Sequence, residues 1–498
     1  MQRRVELLVF VVGAASLGTE IAAARLLAPY FGASTFVWAN TIATVLVALS
    51  IGYWVGGRLA DRAPTLAGLC RLVMYAAAAL ALVPLVARPF LDAAVKALDG
   101  ISAGAFAGSL VGVLVLVAGP VLLLGMVSPY AVRLSVQSVE QAGTTTGRLY
   151  AISTAGSLLG TFLAALAAVP FAGTYRTFLL FALSLGLIGL MGAPRRFALV
   201  PLAILALLLL PAPAIKPSSA DGRVIYETET PYQYARVVQS ADGTRTLELN
   251  EGLAVHSVIH PASFLTQDYW DELLVLPFAT QPSGAPPSSV AILGNAAGTT
   301  ARAYGHYFPA TAVDGVEIDG RLSELGRRYF DERGPRLRLI TADARPFLRA
   351  SSRRYTTIIV DAYRQPYIPF YLTTKEFFAQ CRAHLLAGGS VLINVGHPAS
   401  SASLERVLGA TLRTVFPSVQ RDPVEATNTI LVASTAAISA PRLRAQAPSL
   451  APELQPIALA AASRLAPALA GGEVYTDDRA PVEWLIDRSI LGYAAGKR

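Results

Sequence analysis

Ser289-Val-Ala-Ile-Leu-Gly-Asn-Ala-Ala-Gly-Thr-Thr300 decides the fold of the second half of this chain. Its apolar start is too short for a helix and reads as a buried strand. The small residues from Gly294 to Gly298 read as a turn that opens a helix. Gly294 and Gly298, with alanines between them, let the backbone approach a ligand and present amide donors at a helix start. Outward from this turn, strand and helix alternate. Ala312 to Ile318 is the next strand, then come a helix over about 321–332 and a strand at Leu337 to Ile340. Thr356 to Val360 is the fourth strand, a helix begins near Thr374, and Ser390 to Val395 is the fifth strand. That order predicts a mostly parallel sheet with helices on both faces and a ligand at the carboxyl ends of its strands.

Acids stand at those ends. Glu317 closes the second strand, 23 residues beyond Gly294, where a carboxylate can take both hydroxyls of a ribose. Asp343, after the third strand, is placed to accept a hydrogen bond from an adenine amino group. Asp361, at the end of the fourth, faces the reacting end of a nucleotide. A glycine turn alone is weak evidence, and acids at strand ends also cap helices. The turn and three successive acids together point to a nucleotide site.

Upstream, Val224 to Glu227, Ala235 to Gln239 and Arg245 to Leu249, with an Asp242-Gly243 turn, predict a small antiparallel sheet. The expected organisation is a membrane part over 1–211, a Pro/Ser/Gly linker over 212–223, a small β subdomain over 224–280 and the nucleotide-binding α/β domain over 288–498.

The first part is apolar. Runs of spanning length occur at about 6–28, 35–57, 66–88, 102–127 and 149–172, with a shorter pair at about 176–192 and 197–211, which predicts some seven transmembrane helices. The first run continues past any short signal-peptide core and reads as a membrane helix. Arg3-Arg4, Arg58/Arg62, Arg133/Arg148 and Arg195-Arg196 fall on one side of such a bundle, and Arg88, Lys96 and Arg176 on the other. Glu20 and Arg25 lie inside the first run, where ionisable groups are functional candidates or snorkel toward headgroups. Ser153, Gly156, Ser157 and Gly160 form a face of small residues suited to close helix packing. Gly57-Arg-Leu-Ala-Asp-Arg62 resembles the loop between the second and third helices of major-facilitator transporters, and is equally a charged turn between two helices.

Composition narrows the function. Of the formal net charge of +8, residues 1–215 carry +7, so the soluble half has no basic excess for a nucleic acid. Two cysteines, Cys70 and Cys381, and five scattered histidines argue against a disulfide framework or a metal centre.

The soluble half also resembles the polyamine aminopropyltransferases, especially the bacterial branch fused to a membrane domain. The residues that carry this are Thr230-Pro-Tyr-Gln233, Tyr269-Trp-Asp271, Ile292 to Thr300, Val316-Glu-Ile-Asp319, Ala342-Asp-Ala344, Val360-Asp-Ala-Tyr363, Phe370 to Phe377 and Thr476 to Glu483. The resemblance implies a methyltransferase-like fold behind a small β-sheet, decarboxylated S-adenosylmethionine as co-substrate, a small-molecule amine as acceptor, no metal, and a homodimer. It implies that Gln233 and Asp271 hold the nucleotide and its aminopropyl arm, that Glu317 holds ribose and Asp343 adenine, and that Asp361 is the base. Tyr232, Tyr363 and Arg364 fall on the acceptor side. Soluble members carry an aspartate where this chain has Ala297, and a second acid where it has Arg364. An arginine near a dicationic acceptor costs about 1–4 kcal/mol of repulsion at about 4 Å, which argues against putrescine as the acceptor.

Three functions therefore compete: a membrane-bound aminopropyltransferase, a methyltransferase using ordinary S-adenosylmethionine, and a polyamine transporter or sensor whose soluble half binds without chemistry. The expected location is the cell (inner) membrane. With a cytoplasmic N-terminus seven spans would leave the soluble half outside, whereas S-adenosyl nucleotides are kept in the cytoplasm, so the soluble half is expected there, with one of the two short last runs re-entrant or interfacial.

Overall fold

The apolar runs form helices longer than the hydropathy pattern suggests, because each extends into its charged flanks. The computed structural model describes residues 1–32, 34–98, 104–213, 215–216, 222–250, 254–281, 284–363 and 368–486. Five helical stretches are long and apolar enough to cross a membrane: Gln2–Phe31, Thr35–Arg62, Leu66–Ala97, Ala118–Ser135 and Ala142–Gly189. The chain divides into two compact units, Met1–Pro217 with Glu227–Tyr234, and Ser218–Tyr226 with Ala235–Arg498.

In the first unit, α1 (Gln2–Phe31), α2 (Thr35–Arg62) and α3 (Leu66–Leu98) are followed by three segments, α4 (Gly104–Leu116), α5 (Ala118–Gly125) and α6 (Val127–Ser135). The 48 residues Ala142–Gly189 would measure about 72 Å as one rod, over twice the roughly 30 Å hydrocarbon core. They bend instead. After α7 (Ala142–Leu163) comes a segment of wider π-type turns, Ala164–Ala172, containing Pro170. The chain then reverses at Gly173, φ +81°, into α8 (Gly173–Gly189). A glycine takes that left-handed conformation without the steric cost of a Cβ. A short 3₁₀ turn, Arg195–Ala198, leads to α9 (Leu199–Leu209).

The small-residue face of α7 does pack. Ser157 Oγ donates to the Gly13 carbonyl at 3.1 Å, and Gly156 and Gly160 lie against the backbone of Phe10 and Ala14. Gly57 to Arg62 is not a loop. It forms the last turns of α2, with Arg58 over the Trp54 ring at 3.7 Å and Asp61 paired to Arg133 at 3.2 Å, and the turn comes at Ala63–Thr65. Apolar and small residues continue the i→i+4 ladder to the charged end. Glu20 is half-buried on α1.

The soluble half begins with a four-stranded sheet, in order β1 (Arg223–Glu229), β2 (Tyr234–Gln239), β3 (Arg245–Leu249) and β4 (Val255–Ile259). Its second sheet contains β5 (Ser289–Leu293), β6 (Ala312–Glu317), β7 (Leu337–Thr341), β8 (Tyr355–Val360), β9 (Leu385–Gly396), β10 (Ser418–Pro423), β11 (Asn428–Ser434) and β12 (Ala466–Pro467). The order is β12-β10-β11-β9-β8-β5-β6-β7. β7, β6, β5, β8 and β9 run parallel, and β11, β10 and β12 extend the sheet antiparallel.

Strand periodicity of two sorts the core. Ala291 and Leu293 of β5, with Ile358 and Val360 of β8, pack under α13 (Ala344–Ala350), α14 (Lys375–Ala383) and α15 (Ser403–Arg413). Val290, Ile292 and Ile359 face α10 (Tyr269–Val275), α11 (Thr299–Tyr307), α16 (Ala440–Gln446) and α17 (Gln455–Arg464). The small sheet packs through Val237 and Leu247 on Leu322 and Leu325 of α12 (Gly320–Tyr329).

A side chain at position 160 has no room against α1. Gly160→Val should therefore cost about 1–3 kcal/mol of overpacking and lower the melting temperature of the detergent-solubilised protein, whereas Gly143→Ala, facing open space, should not. Equal melting of both variants with the parent would show that α7 does not pack on α1 in this way.

Candidate active site

The order of the large sheet fixes where a site can form. From β5 the chain first winds outward to β6 and β7 and then returns to β8 on the other side, so the crevice lies at the carboxyl ends of β5 and β8. Gly294 ends β5 at φ +91°, and a Cβ there would overlap the Asp361 carbonyl and the Ala362 backbone. The Asp361 amide donates to the Leu293 carbonyl at 2.9 Å, so the two strand ends are tied where they are closest. Ala296 also has positive φ, +47°, a conformation that costs a non-glycine residue energy and is found at ligand clamps. Gly298, φ +87°, starts α11, and a side chain on it would strike Glu332.

Asp361 sits in this crevice with its carboxylate gripped from two sides. Oδ2 accepts from the Tyr269 hydroxyl at 3.0 Å and Oδ1 from Asn394 Nδ2 at 2.9 Å. Asn428 Nδ2 in turn donates to Asn394 Oδ1 at 2.9 Å, which fixes which way the Asn394 amide points. Burial pushes the Asp361 carboxyl up to about 6, and the hydrogen bonds hold it from rising further. The Tyr363 hydroxyl donates to the Asn394 carbonyl at 2.9 Å and accepts from the Gly396 amide at 2.6 Å.

A cavity of about 320 Å³ opens beside these groups, lined among others by Ser257, Asp268, Tyr269, Gly294, Asp361, Tyr363 and Glu425. Asp268 and Glu425 both accept from the Tyr269 amide, at 3.2 and 3.1 Å. The proton that the Glu425 carboxyl donates to the Asp268 carboxylate, together with burial, raises Glu425 to about 7. Three carboxyl groups thus face one cavity, which favours a cationic occupant.

The expected residues are unevenly placed. Gly294, Asp361 and Tyr363 line the cavity. Glu317 lies under the turn, its carboxylate accepting from the Ala296 amide at 2.8 Å and the Asp319 amide at 3.0 Å. Asp343 caps α13 through the Arg345 amide at 3.0 Å and accepts from the Tyr371 hydroxyl at 2.8 Å. A carboxylate has about four acceptor positions, so both keep capacity for a ligand. Asp271 is turned into its own loop, accepting from the amides of Thr266 and Gln267 at 2.9 and 2.7 Å, and it is Asp268 of this segment that reaches the cavity. The Gln233 carbonyl closes a turn with the Thr230 amide at 2.8 Å, and Tyr232 is exposed. Arg364 lies outside the described residues. Among the described residues no cluster of histidine, cysteine or acid side chains could hold a metal.

Tyr269, Asn394, Asn428, Asp268 and Glu425 also meet at this cavity, and none of them carries an assigned role in the sequence patterns above. Asn394 had a signal, a lone amide in the apolar run Val391-Leu-Ile-Asn-Val395 at a strand's carboxyl end. Glu425 and Asn428 had none, because they arrive on the β10–β11 hairpin, which has no glycine turn signal.

No family model matches the chain. Over 197 residues, 39% of its length, it is 34% identical to a probable polyamine aminopropyl transferase of Bifidobacterium longum, covering 43% of that protein. It is 29% identical over 180 residues, 35% of its length, to the polyamine aminopropyltransferase of Vibrio vulnificus, covering 59% of it. The chain thus spans about half the length of these curated relatives. Among solved structures, a probable spermidine synthase from Corynebacterium glutamicum aligns with 51% of this chain and 99% of its own, at 21% identity and a TM-score of 0.40. The chain is a distant, partial homologue of the polyamine aminopropyltransferases and is related to transferases at that level.

Two buried acids make the soluble half pH-sensitive. Burial raises Glu317 to about 7 and Glu332, which accepts from Asn295 Nδ2 at 2.5 Å, to about 8, from an ordinary 4.5. Both protons favour the folded state, so their contribution is full below about pH 4.5 and is lost as pH rises through 7 to 8. Scanning calorimetry should find the melting temperature falling between pH 5 and 9, with Glu332→Gln flattening the upper part of the fall. An unchanged profile in that variant would mean that Glu332 is not buried as its acid.

Proposed function

We propose that the soluble half transfers an aminopropyl group from decarboxylated S-adenosylmethionine to an amine. The observation that carries this reading is Asp361, a half-buried carboxylate facing a cavity beside the Gly294–Gly298 turn and oriented by Tyr269 and Asn394. Partial homology to aminopropyltransferases supports the reaction class. The carboxyl groups of Asp268 and Glu425 at the same cavity support a cationic substrate.

In this reading the amine nitrogen attacks the aminopropyl carbon bonded to the sulfonium. A carbon–nitrogen bond forms, the carbon–sulfur bond breaks, and its electron pair stays on sulfur, giving a neutral thioether. The attacking nitrogen loses one proton to Asp361. With its carboxyl at about 6, Asp361 is about nine-tenths ionised at pH 7 and still basic enough to receive the proton. The turn amides and Glu317 serve the nucleotide, with Asp343 at the adenine end. The resemblance to aminopropyltransferases assigns Tyr363, Tyr232 and Arg364 to the acceptor, and Gln233 and Asp271 to the aminopropyl arm. Asp271 acts there through the Thr266–Gln267 loop that it holds.

One observation favours methyl transfer from ordinary S-adenosylmethionine. The turn position that carries an acid in soluble aminopropyltransferases is here Ala297, buried, with its amide donating to Ser257 Oγ at 2.9 Å.

Incubation of the purified protein with the decarboxylated nucleotide and a panel of diamines, followed by mass spectrometry, should yield methylthioadenosine and an amine heavier by one aminopropyl group. Turnover should fall as pH drops through about 6, and Asp361→Asn should lose about 10²–10⁴-fold while still binding nucleotide. Full turnover in Asp361→Asn would remove it as the base, and a methylated product formed only from ordinary S-adenosylmethionine would replace the aminopropyl reading.

A further inference from the structure

The membrane unit has two unlike ends. At one, Arg148 pairs with Glu6 at 3.0 Å, Arg133 with Asp61 at 3.2 Å, and the Tyr130 hydroxyl donates to the Ala63 carbonyl. The Phe197 ring contacts Tyr75 there, and Gly192 lies against Cys70. This end gathers Arg3, Arg4, Arg58, Arg62, Arg71, Arg133, Arg148, Arg195 and Arg196. At the other end, Tyr30, Arg88, Thr174, Pro213 and Ile215 line one small cavity, and the Tyr30 hydroxyl donates to the Ile215 carbonyl at 2.7 Å. The cations of that end are Arg25, Arg88, Lys96, Arg176 and Lys216.

The path of the chain between these ends can be followed within the bundle. α8 runs back along α3, since Thr174 lies near Arg88 and Gly189 packs on Met74. The chain from Leu199 then starts beside the Phe197–Tyr75 contact and reaches Tyr30 by Ile215. Helix α9 has 11 residues and rises only about 16 Å, too little for a roughly 30 Å core. Leu210 leaves the helix at ψ 151°, and the six residues from it to Ile215 can reach at most about 20 Å. Pro211 and Pro213 among them have no N–H to leave unsatisfied, which lowers the cost of non-helical backbone at that depth. The segment 199–215 is therefore a full crossing, the seventh.

Arginine and lysine in short flanks favour the cytoplasmic side. From the nine-to-five division of cations and the odd number of crossings, we infer that the arginine-rich end is cytoplasmic and that the chain leaves the membrane on the extracytoplasmic face. The soluble half then meets its substrates outside the cytoplasm. This reverses the cytoplasmic placement suggested by nucleotide supply, and a nucleotide used there must be delivered across the membrane. The inference stands on the bundle alone and holds whether or not the aminopropyl reading does.

Full-length Glu453→Cys and Gln141→Cys, expressed in spheroplasts and treated with a membrane-impermeant maleimide, test it. Both positions are exposed, Gln141 lies at the arginine-rich end, and the native Cys70 and Cys381 are buried. Glu453→Cys should label equally before and after permeabilisation, and Gln141→Cys only after it. Labelling of Glu453→Cys only after permeabilisation, or of Gln141→Cys before it, would overturn the inference.

Discussion

The close approach of the β5 and β8 ends governs the soluble half. Gly294 at φ +91° lets the Leu293 carbonyl take the Asp361 amide, and that bond sets the crevice between strands whose connections diverge. Everything chemical in the crevice is referred to this point. Asp361 emerges from it, Tyr269 and Asn394 orient the carboxylate, and the turn through Ala296 swings amides round toward Glu317. A carboxylate buried without such donors would simply hold its proton, and the hydrogen bonds leave it a usable base.

The membrane half obeys a different constraint. Lipid offers no hydrophobic drive for one apolar helix to prefer another, so association rests on close backbone approach. The α1–α7 pair shows this in Gly156 and Gly160, which lie on the α1 backbone. Its ionisable residues cluster at the two ends, and the few pairs, such as Arg148 with Glu6, join helices there.

Much of this was legible in the sequence because the signals were local. The strand, turn and helix from Ser289 to Thr300 were readable from apolar length and glycine placement, and the parallel order from alternation with helices. The helix from Thr374 was readable because Thr374 caps it, its hydroxyl accepting from the Phe377 amide at 3.3 Å. What escaped depended on long-range geometry. Asp271 and Asp268 are three residues apart on one short segment, and only the loop that folds onto Asp271 decides that Asp268 faces the cavity. Asn428 and Glu425 come to the cavity from more than 60 residues beyond Asp361, on a hairpin whose strands the alternating pattern did not include. The apolar lengths of the membrane half were readable, but the last helix, α9, has only 11 residues before Pro211 and Pro213, and no window of uniform hydropathy marks where it stops.

The account's central claim is that the crevice between β5 and β8 takes a nucleotide whose reacting arm is a cationic aminopropyl group. Calorimetry of the full-length protein in detergent with decarboxylated S-adenosylmethionine, ordinary S-adenosylmethionine and methylthioadenosine, repeated on Glu317→Ala, tests it most directly. The account predicts binding that weakens in Glu317→Ala and favours the decarboxylated nucleotide over the ordinary one by about tenfold or more, roughly 1.4 kcal/mol. Preference for ordinary S-adenosylmethionine, or no heat with any of the three, would contradict it.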